Sequence, residues 1–226
     1  MFKNIQWFDT LSSTQTYLKE HLEIPLFNVI AAKHQTAGYG RQGAPWESQP
    51  NANLLFSFKQ NTTYESSPQL WEVVLMGLIE TLKVHGIVAH IKPPNDVYVD
   101  HQKIAGILVE TRQESTLTAY VGVGVNVNQD TFSNHLNATS MRLLTGKEFS
   151  LEKVLTQLLK AIEEAAQQDP SQRLIWYTNH IDFSRYRLRY QDSEVSHWTV
   201  REDGLLFIEK TSVHPSRLVY ELIDKI

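Results

Sequence analysis

The sequence predicts an α+β fold followed by a small β module, and three observations predict it. Short alternating or β-branched segments recur between residues 5 and 127. Two long segments repeat apolar residues at helical spacing. Beyond Asp182 only short strand-like segments remain.

Ile5 to Phe8 reads as a short strand. Ser12 and Gln15 then have capping-box spacing ahead of a helix that runs to about Leu22. A cap uses one of the hydroxyls of Ser12, Ser13 and Thr14, which leaves the others to bond a ligand. Asn28 to Lys33 and Ala52 to Lys59 read as strands, joined by a long irregular connection, Gln35 to Asn51. Ser67-Pro68 opens a helix that Gly86 closes. Between them Leu70, Val73, Val74, Met76, Gly77, Ile79 and Leu82 repeat at helical spacing. Val97 to Val99 and Ile107 to Val109 form a hairpin around the turn formers Asp100, His101 and Gln102. Thr118 to Val127 is a strand in which Gly122 and Gly124 leave gaps for a close approach to the backbone. Ser150 caps a helix reaching about Gln168, and Ser171 starts a shorter one. Tyr186 to Tyr190, Val195 to Arg201, Leu205 to Glu209 and Leu218 to Leu222 are the terminal strands, with Asp203-Gly204 as a hairpin turn. The expected division is residues 1–182 and 183–226.

Composition removes several function classes. The 226 residues, 42% of them hydrophobic, suffice for a real core. No run of about 18 apolar residues occurs, and the N-terminus lacks the regions of a signal peptide, so a cytoplasmic protein without membrane insertion is expected. The chain has no cysteine, which excludes disulfides, thiolate metal sites and a cysteine nucleophile. A net charge of −4 with interspersed signs, and no basic tail, argue against a nucleic-acid partner. The nine histidines include no i, i+4 pair, and neither a G-x-S-x-G elbow nor a P-loop is present.

Chemistry concentrates in two places. The stretch Lys92 to Glu110, KPPNDVYVDHQKIAGILVE, places Lys92 at one strand's end and Lys103 at the start of another, with Asn95-Asp96 between them. A lone lysine there is usually a solvated strand end. Here amide and carboxylate oxygens that suit Mg²⁺ accompany two cations that suit a phosphate-bearing substrate, so nucleotide chemistry is expected. The loop QTAGYGRQGAPW, residues 35–46, carries three glycines, Arg41 and Trp46. Its glycines allow amide N–H groups to face an anion, and Arg41 adds a charge-assisted bond. An exposed loop tip has little use for a tryptophan, whereas a loop that folds over a ligand does.

QTAGYGRQGAPW, KPPNDVYV, KIAGILVE and GVGVN, in that order and at these separations, resemble the biotin protein ligase family over roughly residues 5 to 180. The resemblance implies a mixed β-sheet flanked by helices with a small SH3-like C-terminal domain. It also implies the activity: biotinyl-5′-AMP is made from biotin and ATP with Mg²⁺, and biotin then passes to a lysine of a biotin carboxyl carrier domain, with acetyl-CoA carboxylase as the expected source. By the same resemblance Lys103 is the catalytic lysine and Arg41 closes over the intermediate. Ser13, Thr14 and Gln35 contact the ureido ring, Gly106, Leu108 and Gly124 line the tail, and Gly38 belongs to the biotin site. Lys92, Asn95, Asn126, Gly40 and Trp46 serve ATP and the adenylate, and Asn95 with Asp96 supplies the metal-side oxygens. Where family members commonly have Lys-Trp-Pro-Asn-Asp, this chain has Pro93, and Tyr39 and Gln42 stand where arginines are common. No DNA-binding domain precedes Ile5, so a repressor role is not expected; a homodimer is. Two other readings compete. A lipoate or octanoate ligase would use the same lysine, and a non-catalytic biotin- or adenylate-binding protein would bind without turnover.

Overall fold

The structure, a computed structural model, describes residues 1–63, 67–191, 193–195, 197–200, 205–208 and 211–222. Seven strands form the main sheet: β1 (Ile5–Phe8), β2 (Val29–Ala32), β3 (Asn53–Asn61), β4 (His90–Lys92), β5 (Asp96–Val99), β6 (Gln102–Gln113) and β7 (Leu117–Asn126). Their order is β1-β2-β3-β7-β6-β5-β4. Only β1 and β2 pair in parallel; every other neighbouring pair in this sheet is antiparallel, so the sheet is mixed.

Strand periodicity divides the sheet into two chemically different faces. Leu54, Phe56 and Phe58 of β3, Ile107 of β6, and Val121, Val123 and Val125 of β7 are buried in the large core. That core is completed by α2 (Ser67–Val84) and α4 (Leu151–Ala166), which pack against each other. The contact between the helices is close at Gly77, where an added Cβ would lie 2.6 Å from Ile162 Cγ1. Gly86, at φ 76°, ends α2 as expected, and Ile87 N–H bonds back to the Leu82 carbonyl at 3.1 Å. The alternate residues, among them Leu55, Ser57, Gly106, Leu108, Gly122 and Gly124, turn to the other face. There α1 (Thr14–Glu20) covers one end through a small cluster of Leu18, Ile30 and Tyr120.

Two caps differ from the sequence expectation. Ser13, not Ser12, caps α1, accepting from Thr16 N–H at 3.3 Å. With Ser13 as the cap Gln15 is the second helical residue, not the third, so it cannot close a capping box, and its buried Nε2 donates instead to Glu110 and Tyr120. The helix also ends at Glu20, short of Leu22, where His21 N–H bonds Tyr17 O at 3.1 Å. In α5 (Pro170–Asn179), Asp169 is the cap and Pro170 the first helical residue, in place of a start at Ser171. Proline's fixed φ and missing N–H suit that position. The short α3 (Met141–Thr145), capped by Ser140, has too few residues for its periodicity to be seen in sequence.

The C-terminal strands are β8 (Tyr186–Tyr190), β9 (Ser193–Glu194), β10 (Trp198–Val200), β11 (Leu206–Ile208), β12 (Thr211–Val213) and β13 (Val219–Leu222). They form two three-stranded sheets, β10-β11-β12 and β13-β8-β9. Tyr186, Leu188, Val195, Ile208, Val213 and Leu218 belong to the same contiguous core as the main sheet. The strand β12 was missed from sequence, and the Asp203-Gly204 turn lies outside the described residues. No helix among the described residues is long and apolar enough to cross a membrane.

Candidate active site

The sheet register builds the site. Leu55 pairs with Gly124, Gly124 with Gly106, and Gly106 with Asp96, so one row crosses β3, β7, β6 and β5. The next row is Ser57, Gly122 and Leu108. Three side-chain-free positions in two rows leave a groove in the sheet, and the loop 35–46 roofs it to enclose a cavity of about 260 Å³.

Each glycine makes room for something identifiable. A Cβ at Gly124 would lie 2.6 Å from Trp46 Cε2 and Cζ2, so the indole rests on bare backbone. A Cβ at Gly106 would lie 3.1 Å from both Lys103 Nζ and Asp96 Oδ1, which form an ion pair at 2.8 Å. At Gly122 the neighbours are Gln15 Oε1 at 3.0 Å and Ser57 Oγ at 3.5 Å.

The polar end of this cavity comes from the start of α1. Thr14 N–H donates to Gln35 Oε1 at 2.7 Å, and Thr14 Oγ1 bonds Gln35 Oε1 at 3.0 Å and Ser57 Oγ at 2.9 Å. Ser13 is buried and lines the same end. The loop itself is a tight hairpin: Gly40 N–H bonds Ala44 O at 2.7 Å and Trp46 N–H bonds Gly38 O at 2.9 Å. At its tip Gln42 (φ 56°) and Gly43 (φ 75°) take left-handed conformations. This presents the exposed Arg41, whose Nη1 donates to Asn95 Oδ1 at 3.2 Å.

A second cavity, about 210 Å³, adjoins the first and shares Pro45, Trp46 and Lys103 with it. Its other walls combine the aromatic and apolar Tyr98, Phe132 and Leu136 with the polar Glu47, Asn126, His135 and Asn137. Lys103 therefore stands at the junction, with Nζ 5.4 Å from the Trp46 ring. Its backbone is clamped: Lys103 N–H bonds Asn137 O at 2.9 Å, and its carbonyl accepts from Thr139 N–H at 3.0 Å. Asn126 Nδ2 donates to Thr139 O at 3.0 Å and Lys103 O at 3.4 Å, fastening the same segment. Burial above all, with the Asp96 charge adding to it, pushes the Tyr98 phenol up to about 12, so it stays a neutral donor in this wall.

Of the residues singled out by sequence, the structure brings Ser13, Thr14, Gln35, Gly40, Arg41, Trp46, Asn95, Asp96, Lys103, Gly106, Leu108 and Gly124 to the first cavity. Asn126 lines the second. Two stand back from both. Gly38 is buried behind Gln35 and Trp46, where a Cβ would lie 2.7 Å from Gln35 Nε2, so its part is to let the loop close. Lys92 Nζ lies over the Tyr98 ring at 5.4 Å, behind the second cavity's wall. Sequence reasoning missed Gln15, Ser57, Glu110 and Tyr98. Strand parity would have found Ser57 and Glu110, once Gly122 and Gly124 had marked the open face.

Asn95 and Asp96 are the oxygen donors available to a cation here. Asn95 Nδ2 is spent on Ile107 O at 2.9 Å and Asp96 Oδ1 at 3.2 Å, which turns Asn95 Oδ1 outward to Arg41, and a cation would have to share or displace that bond. Asp96 Oδ1 faces Lys103, so its second oxygen is the one left for a metal. One carboxylate and one amide oxygen fit Mg²⁺, which takes its remaining ligands from phosphates and water.

Comparisons with known proteins agree in direction. A model of the biotin/lipoate A/B protein ligase family matches residues 7–128. The bifunctional ligase/repressor BirA of Bacillus spizizenii is 29% identical over 175 residues, covering 73% of this chain and 54% of that protein. The biotin--[acetyl-CoA-carboxylase] ligase of Mycobacterium tuberculosis is 30% identical over 143 residues, covering 60% of this chain and 52% of its own length. The chain thus spans about half the length of these curated relatives. Among solved structures, the biotin protein ligase from Aquifex aeolicus in complex with biotin and ATP superposes with a TM-score of 0.82 at 26% identity. That match covers 98% of this chain and 100% of that one.

Proposed function

We infer the activity from family and site together: this chain belongs to the biotin/lipoate A/B protein ligase family, and we propose that it is an ATP- and Mg²⁺-dependent biotin protein ligase. The carrying observation is the position of Lys103 at the junction of a mixed polar and apolar cavity with an aromatic-walled one.

In this reading the first cavity takes biotin. The ureido ring meets Ser13, Thr14 and Gln35, and the tail runs past Gly106, Leu108 and Gly124 toward Lys103. The second takes the adenosine of ATP, with Trp46, Tyr98, Phe132 and Asn126 around the base and sugar. A biotin carboxylate oxygen attacks the α-phosphorus and pyrophosphate leaves. Two anions must approach, and charge builds on the phosphoryl oxygens. The Lys103 ammonium, now held by Asp96 at 2.8 Å, offsets both when it turns to the junction. Its clamped backbone limits the search for that position. Asn95 and Asp96 would hold Mg²⁺, which supplies charge neutralisation to the triphosphate when bound. Arg41, at the tip of the roof, closes over biotinyl-AMP until an acceptor lysine amine attacks the acyl carbon and AMP leaves. The expected acceptor is the biotin carboxyl carrier domain of acetyl-CoA carboxylase, in keeping with the relative named for that substrate. We further propose that residues 1–182 form the catalytic unit, that 183–226 form an SH3-like module appended to it, and that the enzyme works in the cytoplasm.

The test is mass spectrometry of the acyl-adenylate formed from MgATP with equal biotin, lipoate and octanoate. Biotinyl-AMP is the expected product. Lipoyl- or octanoyl-AMP would move the chain to the other branch of its family, and binding without any adenylate would make it a non-catalytic binder.

A further inference from the structure

We propose that Gln15 is a further specificity-determining residue, whose side-chain oxygen accepts a ring N–H of the acid, and that Glu110 is the positioning residue that fixes it in that orientation. The proposal rests on the biotin reading and deepens it.

Gln15, the second residue of α1, is 3% exposed and lines the first cavity. Its Nε2 donates to Tyr120 O at 3.0 Å and to Glu110 Oε2 at 3.0 Å. A carbonyl and a carboxylate can only accept, so reversing the amide would set oxygen against oxygen twice. The orientation is therefore dictated by its partners. Oε1 points the other way, onto the bare backbone of Gly122, where a Cβ would lie 3.0 Å from it. Among the described residues this buried oxygen has no hydrogen-bond partner. A buried acceptor without a donor costs free energy, which a ligand donor at Gly122 recovers.

Glu110 is itself held. Lys19 Nζ reaches its two oxygens at 3.1 and 3.0 Å, and Tyr39 Oη donates to Oε2 at 3.3 Å. Burial works against the Lys19 charge, but its bonds with Tyr39 and Glu110 outweigh that and keep the ammonium above its ordinary value. Tyr39 thus ties the roof loop to the same carboxylate. The rigid acceptor and the Ser57 hydroxyl both lie against Gly122 in the wall of the cavity. A ureido ring offers two N–H donors there. A dithiolane ring or an alkyl chain offers none, and would leave Oε1 buried and unpaired.

The experiment is calorimetric titration of wild type, Gln15→Met and Glu110→Gln with biotin, lipoate and octanoate, with thermal unfolding of each protein alongside. Methionine keeps the volume and removes the acceptor. Glutamine at 110 can turn an N–H to Gln15, which removes one of the two oxygen–oxygen contacts that forbid reversal, the Tyr120 carbonyl keeping the other. Wild type is expected to prefer biotin. Gln15→Met should lose about tenfold or more of its biotin affinity and Glu110→Gln a smaller part of it, while binding of the other two acids stays unchanged. If all three acids weaken together, or none does, the inference falls while the biotin reading stands. A wild type that prefers lipoate or octanoate overturns both. Should Gln15→Met not fold, the ratio of affinities in Glu110→Gln decides the matter by the same criteria.

Discussion

Asp96 and Lys103 are paired across Gly106, and Trp46 lies across Gly124, so the smallest residues of the site decide where its largest and most charged ones stand. Gly124→Ala should push the indole off the sheet and weaken biotin binding by about tenfold, or about 1.4 kcal/mol, with circular dichroism unchanged. Unaltered affinity in that variant would show that Trp46 is free to shift at no cost. Arg41 makes a different contribution, since its exposed side chain reaches across to Asn95 Oδ1. Arg41→Gly should leave folding and biotinyl-AMP formation intact while the intermediate escapes and labels bystander lysines. Retention as in wild type, read by trapping released adenylate with a free amine, would refute the closing role. Arg41, Lys103, Asn95 and Asp96 were legible in the sequence because charge and turn chemistry cluster there in few residues. Gln15 was not: its spacing from Ser12 imitates a capping box, and only the fold shows that its Nε2 is spent on Glu110 and Tyr120.

At the level of elements, the alternation along β3 was readable, and across β3, β6 and β7 the strand period leaves Ser57, the three glycines, Leu55 and Leu108 on the site face and the larger apolar set on the helix face. The pairing that brings Gly106 opposite Gly124 depends on register between separate strands, and no local pattern states it. The same holds for α2 and α4. Gly77 fits a helical repeat in sequence, but its reason is Ile162, which occupies the space a side chain would need. Gly77→Ala should therefore destabilise the protein by about 1–3 kcal/mol, despite the roughly 1 kcal/mol that alanine gains in helix propensity. A urea midpoint higher than wild type would mean the helices separate freely.

For the whole molecule, the main sheet, the α2–α4 layer and the terminal strands share one core, so changes at one junction register in global stability. His90 on β4 lies at such a junction. Burial first, then the nearby Arg185 charge, holds its imidazole below the usual value. In the unfolded chain it protonates near the ordinary value of about 6.5. The stability it contributes is thus present above that pH and is lost as pH falls toward the lower folded value. Urea midpoints measured from pH 8 to pH 5 should fall more steeply in wild type than in His90→Gln; parallel curves would remove His90 from the acid response. In the proposed mechanism Lys103, at the meeting point of the two cavities, drives adenylate formation without being the main anchor for biotin. Single-turnover formation of biotinyl-AMP in wild type and Lys103→Met, beside calorimetric biotin affinity, decides this. The rate in Lys103→Met is expected to be lower by about 10²–10³-fold or more with biotin still bound; an undiminished rate would refute the role of Lys103.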